Sequence, residues 1–227
     1  MPSVKMPKKS TDTDMTPFVD VAFLILSFFM LATKFKPPEP VEVKMPSSVS
    51  SDKLKESDAI WVTTDKDSHV YFSITTKGNG KAVFDAVANG LNSARNLGLT
   101  PAEVSNLSTT MQQSIPIGVP FSGLKQLLAY TPKDQEKVKQ PGIPVLDSAT
   151  NELVWWIASA KQAFAGKKNV LFLIKGDGLS KYPTFGGVVE ALKRNEELKY
   201  NLITAPEDAP PGSDLAVERQ RQLREGK

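Results

Sequence analysis

Three spacings of apolar residues divide this chain, and each predicts a different kind of element. Over residues 17–33 the run is almost unbroken, with only Asp20, Ser27 and Thr33 polar or charged. At 1.5 Å per residue this makes a helix of about 25 Å, long enough to cross bilayer hydrocarbon with its flanking residues snorkelling. Thr16 suits an N-cap and Pro17 the first helical position. Two strand-like runs follow, AIWVTT (59–64) and VYFSIT (70–75), joined by DKDSH, which reads as a hairpin with a polar turn. Helical spacing then predicts a helix over about 82–96, with Val83, Val87, Leu91 and Ala94 on one side. TPAEVSNL (100–107) begins another, with a Thr cap and Pro at its first position. A short helix is expected at 122–130 and a longer one at 151–164, where Trp155 and Trp156 point to different sides. One Trp should pack inward and the other meet the insert or a second subunit. Strand 169–174, helix 184–196 and strand 200–204 complete a crossover of suitable length.

The segments between these elements set the domain plan. Residues 34–57 are rich in Pro, Ser and charge and read as a semi-extended linker, with a short strand expected at 41–43. Pro116, Pro120, Pro132, Pro141 and Pro144 break the middle of the chain repeatedly. That insert is either a docking surface or packing around the core. The expected plan is a tail (1–15), a transmembrane helix (16–35), a linker (36–57), an α+β domain (58–205, insert about 77–150) and a flexible tail (206–227).

Composition narrows the function classes. The 227 residues are 40% hydrophobic and 23% charged, so most of the chain should fold in water. A net charge of +3 without a long basic run gives no sign of nucleic-acid binding. Zero cysteines exclude disulfides and thiolate chemistry, and one histidine leaves little scope for His-based zinc sites or triads. The Asp65-x-Asp67 pair fails as an EF-hand, because Val70 and Thr76 stand where Gly and Glu are needed. His69 is expected to be an exposed turn residue. No catalytic cluster, cofactor or metal site is expected, and the chain does not read as an enzyme. Lys5, Lys8 and Lys9 precede the apolar run as in a signal peptide. Asp12, Asp14 and Asp20, and the lack of a small-x-small cleavage site, favour an uncleaved anchor instead. Lysines flank the run equally on both sides, so charge does not choose its orientation.

Asp20 carries the sharpest signal. A carboxylate at the centre of a membrane helix costs on the order of 2.5–3.5 kcal/mol even on insertion scales. It has two readings. One is a first-turn acid favoured by the helix dipole. The other uses the rest of the face, since Thr16, Asp20 and Ser27 lie within about 40° of one another at 100° per residue. Such a stripe suits a helix facing protein or a file of water, where an intramembrane carboxylate carries an ion or proton.

MTPFVD followed by the apolar run resembles the T-P-x-x-D signature of the ExbD/TolR family. A second block, NVLFLIKGDGLSKYPTFGGVVEALKRNEELKYNLIT (169–204), resembles that family's closing segment. Asp14 stands where the family often has Asn, and the chain is longer than typical members, mainly over 77–150. The resemblance implies a single-pass inner-membrane protein with a cytoplasmic N-terminus and a periplasmic domain. It also implies a homodimer within a ring of ExbB/TolQ-like subunits, energising a TonB-like protein. Asp20 would carry protons, with Thr16 and Ser27 supporting its path, and the linker would change its extension or strand pairing. Asp177 matches the family's acidic position and reads as a cap or turn residue. A TolR-like envelope subunit, or an anchored periplasmic binding protein without proton coupling, are the other readings.

Overall fold

A computed structural model describes residues 16–32, 41–48, 58–78, 80–167 and 169–206. They belong to two compact units, Met1–Glu39 and Pro40–Lys227. The tails expected at 1–15 and beyond 206 lie outside the described residues, as do 33–35 of the expected span.

In the first unit the apolar run forms helix α1 (Thr16–Ala32), 17 residues long. Among the described residues no helix is long and apolar enough to cross a membrane.

The second unit is a mixed α+β fold built on four strands. The linker contributes β1 (Ser47–Ser48), and the predicted hairpin forms as β2 (Ala59–Thr64) and β3 (Val70–Thr75), paired antiparallel. The free edge of β2 takes β4 (Leu171–Gly176) in parallel, and β4 takes β5 (Asn201–Ile203), giving the order β3-β2-β4-β5. A last short strand, β6 (Ala205–Pro206), pairs in parallel with β1. The linker strand is therefore not at residues 41–43. The backbone of Lys44 is already bonded to the loop after β4, and ladder pairing begins only beyond Pro46.

Register explains the core. Ile60 lies opposite Ile74 and Phe172, and Val62 opposite Phe72 and Ile174, so two apolar rows share one face of the sheet. Helix α2 (Lys81–Arg95) presents Val83, Phe84, Val87, Ala88 and Leu91 inward. Ala94, expected on that side, is exposed, because the buried face is completed by Phe84 and Ala88 and ends at Leu91.

Helix α3 (Pro101–Gln112) runs five residues past the expected stretch, since Leu107 and Met111 continue the buried spacing. Then come α4 (Phe121–Leu128) and a single unforeseen turn, α5 (Pro132–Gln135). Helix α6 (Leu153–Ala163) starts after Asn151, whose buried side chain accepts the Leu153 N–H at 3.1 Å. Trp156 is fully buried, 5.1 Å from Phe72 and 6.0 Å from Phe121 between ring centroids. Trp155 lies half-exposed with the Arg95 guanidinium 5.0 Å over its ring, so one Trp packs inward as expected. Helix α7 (Tyr182–Arg194) joins β4 to β5.

The insert belongs to this core. Leu107, Met111, Ile117, Leu124 and Ile143 are buried in the same cluster as the sheet residues. It also covers the outer edge of β3: Phe72 and Ile117 exchange both backbone bonds, at 2.8 and 2.9 Å, and Ile143 N–H donates to Val70. An uncovered β3 would offer a template for another strand.

Candidate functional site

Helix α1 brings the predicted polar stripe together in one continuous element. Thr16, Asp20 and Ser27 all lie within it, so their backbone positions fall on one face at helical spacing. Asp20 is exposed, and Ser27 donates its hydroxyl to the Leu24 carbonyl at 2.9 Å, a local bond that satisfies it without a second helix. The side chain of Thr16 lies outside the described ones. The helix starts at Thr16, leaving no acid in its first turn. Asp20 is the fifth helical residue, beyond the reach where the helix dipole alone rewards an acid. Around it the apolar side chains face outward, from 52% exposed at Ile25 to 70% at Phe23.

In the second unit, the loop after β4 holds the linker. Asp177 Oδ2 accepts the Lys44 N–H at 2.7 Å, while Oδ1 accepts the Leu179 N–H at 2.8 Å. Gly178 N–H then donates to the Lys44 carbonyl at 3.0 Å, and Asp177 N–H to the Thr64 carbonyl at 2.9 Å. One acidic residue thus ties together the ends of β2 and β4 and the incoming linker. Farther along, Ala205 N–H donates to the Pro46 carbonyl at 3.0 Å, leading into the β1–β6 pairing. The N–H bonds from Leu179 and Lys44 hold the Asp177 carboxyl below the usual carboxylate range. The turn role expected of Asp177 is present, and the linker contact is an addition to it.

A second constellation stands on the β2–β3 turn. Asp65, Asp67 and His69 place one ligating atom each within 4.8 Å of one another. Asp65 Oδ1 accepts the His69 backbone N–H at 2.8 Å, and Oδ2 meets the His69 Nδ1 at 3.0 Å and the Tyr71 hydroxyl at 3.2 Å. His69 is half-buried and not the exposed turn residue expected, because Asp65 holds its ring and the insert packs on its backbone at Gly142. At φ +92°, Gly142 sits where a Cβ would come within 2.9 Å of His69 Cα. Burial, followed by the negative charge of Asp65 and Asp67, pushes the Tyr71 phenol well above its ordinary range. The sequence signal for this cluster is the spacing of Asp65, Asp67 and His69 at alternate turn positions. EF-hand rules do not register it.

A separate cleft of about 690 Å³ lies among α6, α7 and β4, over Ile60, Phe164 and Phe172. Its cations are engaged: Lys161 with Glu197 at 2.9 Å, Lys167 with Asp58 at 3.1 Å, and Arg194 with the Ser148 carbonyl at 2.7 Å. They stitch the domain together.

The family model described as biopolymer transport protein ExbD/TolR matches residues 6–207, and the chain belongs to that family. No curated protein and no solved structure matches it.

Proposed function

We propose that this member of the ExbD/TolR family is an ExbD-like subunit of an inner-membrane motor driven by the proton-motive force, in which Asp20 carries the proton. The observation that carries the reading is one carboxylate on an otherwise apolar helix, past the first turn and on the face of Thr16 and Ser27. A helix apolar all round must be covered by protein or lipid, and the exposed Phe, Leu, Ile and Val of α1 meet that description. A carboxylate on such a helix needs a wet path to load and release a proton.

In this reading the segment 16–35, three residues longer than α1, anchors the chain in the inner membrane with the N-terminus cytoplasmic and the α+β domain periplasmic. Two copies sit within a ring of ExbB/TolQ-like subunits, and proton passage at Asp20 drives their rearrangement. The domain passes the work to a TonB-like protein and so to outer-membrane transport. Capture of the linker by Asp177 and its pairing with β6 give the domain a docked state that a motor stroke can release. A TolR-like role in envelope maintenance uses the same parts with a different energised partner.

An anchored periplasmic binding protein needs α1 only as a tether, and replacing α1 distinguishes it. We expect substrate uptake to be lost when residues 16–33 are exchanged for an unrelated spanning helix without a carboxylate, although the chain stays in the membrane. Uptake at the parent level after that exchange sinks the motor reading in favour of the tether.

A further inference from the structure

We propose that Asp65, Asp67 and His69 bind a divalent transition-metal ion of the zinc type in the cleft between the β2–β3 turn and the insert. The inference stands independently of the motor reading. The turn places residues i, i+2 and i+4 so that an imidazole and two carboxylates converge within 4.8 Å. The imidazole decides the class of ion. All-oxygen sites suit magnesium and calcium, whereas a mixed nitrogen and carboxylate set suits zinc and its neighbours.

For one pair of ligands the spacing is close to that around a bound ion. His69 Nδ1 and Asp65 Oδ2 stand 3.0 Å apart, and adjacent ligands on a tetrahedral zinc, at 2.0–2.2 Å from it, lie about 3.3 Å apart. An ion therefore takes the place of the hydrogen bond between those two atoms, its proton leaving to solvent, with a shift of a few tenths of an ångström. The carboxylate is already aimed, because its other oxygen is held by the His69 backbone N–H at 2.8 Å. Support of that kind from a ligand's surroundings is what fixes geometry and tunes affinity in metal sites.

There is room as well as chemistry. The cleft has a volume of about 280 Å³ and is lined by all three residues, with Tyr71 beside them and Glu136 contributed by the insert. That space accommodates an ion with water in its remaining positions, and Glu136 in the lining is a candidate for bonding such a water. Lys137 and Lys139 also line the cleft, and Lys137 lies 3.9 Å from Asp134. An ion in this position would tie the insert to the hairpin next to the Gly142–His69 approach.

The test uses full-length, tag-free protein in detergent, stripped with chelator and titrated with zinc chloride by calorimetry. Melting is followed in parallel. We expect one ion per chain and a melting temperature that rises with zinc, with Asp67→Asn and His69→Gln each weakening binding at least tenfold. Asp67 is exposed, so Asp67→Asn is expected to melt like the parent without metal, and it decides the matter even where His69→Gln folds poorly. The absence of saturable binding, or a parent-like affinity in Asp67→Asn, overturns the proposal.

Discussion

Asp177 joins three parts of this domain, its own loop, the end of β2 and the incoming linker. Its two oxygens take N–H groups from opposite directions, one from its own loop and one from Lys44, 133 residues earlier in the chain. Asp177→Asn keeps the shape but removes the charge that strengthens both bonds. We expect faster hydrogen exchange at the Lys44 amide in that variant, with little change at the amides of β2. The carboxyl is held low in the folded chain, so its contribution is complete above the ordinary aspartate pKa. It is lost as pH falls through the lowered value. An acid titration of Lys44 exchange should accordingly show protection persisting into the range where ordinary aspartates are already protonated. Protection that is unchanged in Asp177→Asn would mean that β1–β6 pairing alone holds the linker. The turn role of Asp177 was legible from its place at the end of a strand. Its bond to Lys44 was not, because a backbone donor leaves no side-chain signature in the sequence.

At the scale of elements, legibility followed how local the cause is. Helix α3 was announced by Thr100 and Pro101, and the structure completes a capping box in which Thr100 Oγ1 accepts the Glu103 N–H while Glu103 takes the Thr100 N–H at 2.7 Å. Thr100→Ala should destabilise the domain by about 1 kcal/mol, as N-cap losses do, measurable as a lower denaturant midpoint at constant slope. No change in midpoint would mean that burial of Leu107 and Met111 alone sets this helix. The β2–β3 hairpin was equally plain, since its alternation matches the face formed by Val62, Phe72 and Ile174.

Elements whose cause is distant were misplaced or missed. The linker strand shifts to Ser47–Ser48 because the loop after β4 claims Lys44. The single turn of α5 depends on Gln135, whose buried side chain receives the Thr110 hydroxyl at 2.9 Å and donates to the Tyr130 carbonyl at 3.1 Å. Likewise β4 begins at Leu171, two residues late, after Asn169 adopts a positive φ of 65°.

For the whole molecule, the chain divides its work between an apolar helix and a folded domain that receives a linker. The motif around Thr16 and Asp20 and the closing block at 169–204 identified the family at both ends, and the family match spans 6–207. The role of the insert was opaque, although its helix α3 was announced locally, because the contacts that join it to the sheet are tertiary. Its backbone pairs at Ile117 and Ile143 and its buried leucines make it part of the core and the cover of β3. His69 was misjudged for the same reason, since the insert that shields it lies some seventy residues further on.

Proton coupling through Asp20 is tested by substrate uptake in cells carrying Asp20→Asn at matched protein levels, with assembly of the ring complex checked in parallel. Asparagine preserves size and hydrogen bonding but cannot carry a proton. Uptake should collapse while the complex still assembles. Uptake equal to the parent would contradict that coupling and reduce Asp20 to a polar residue on a helix.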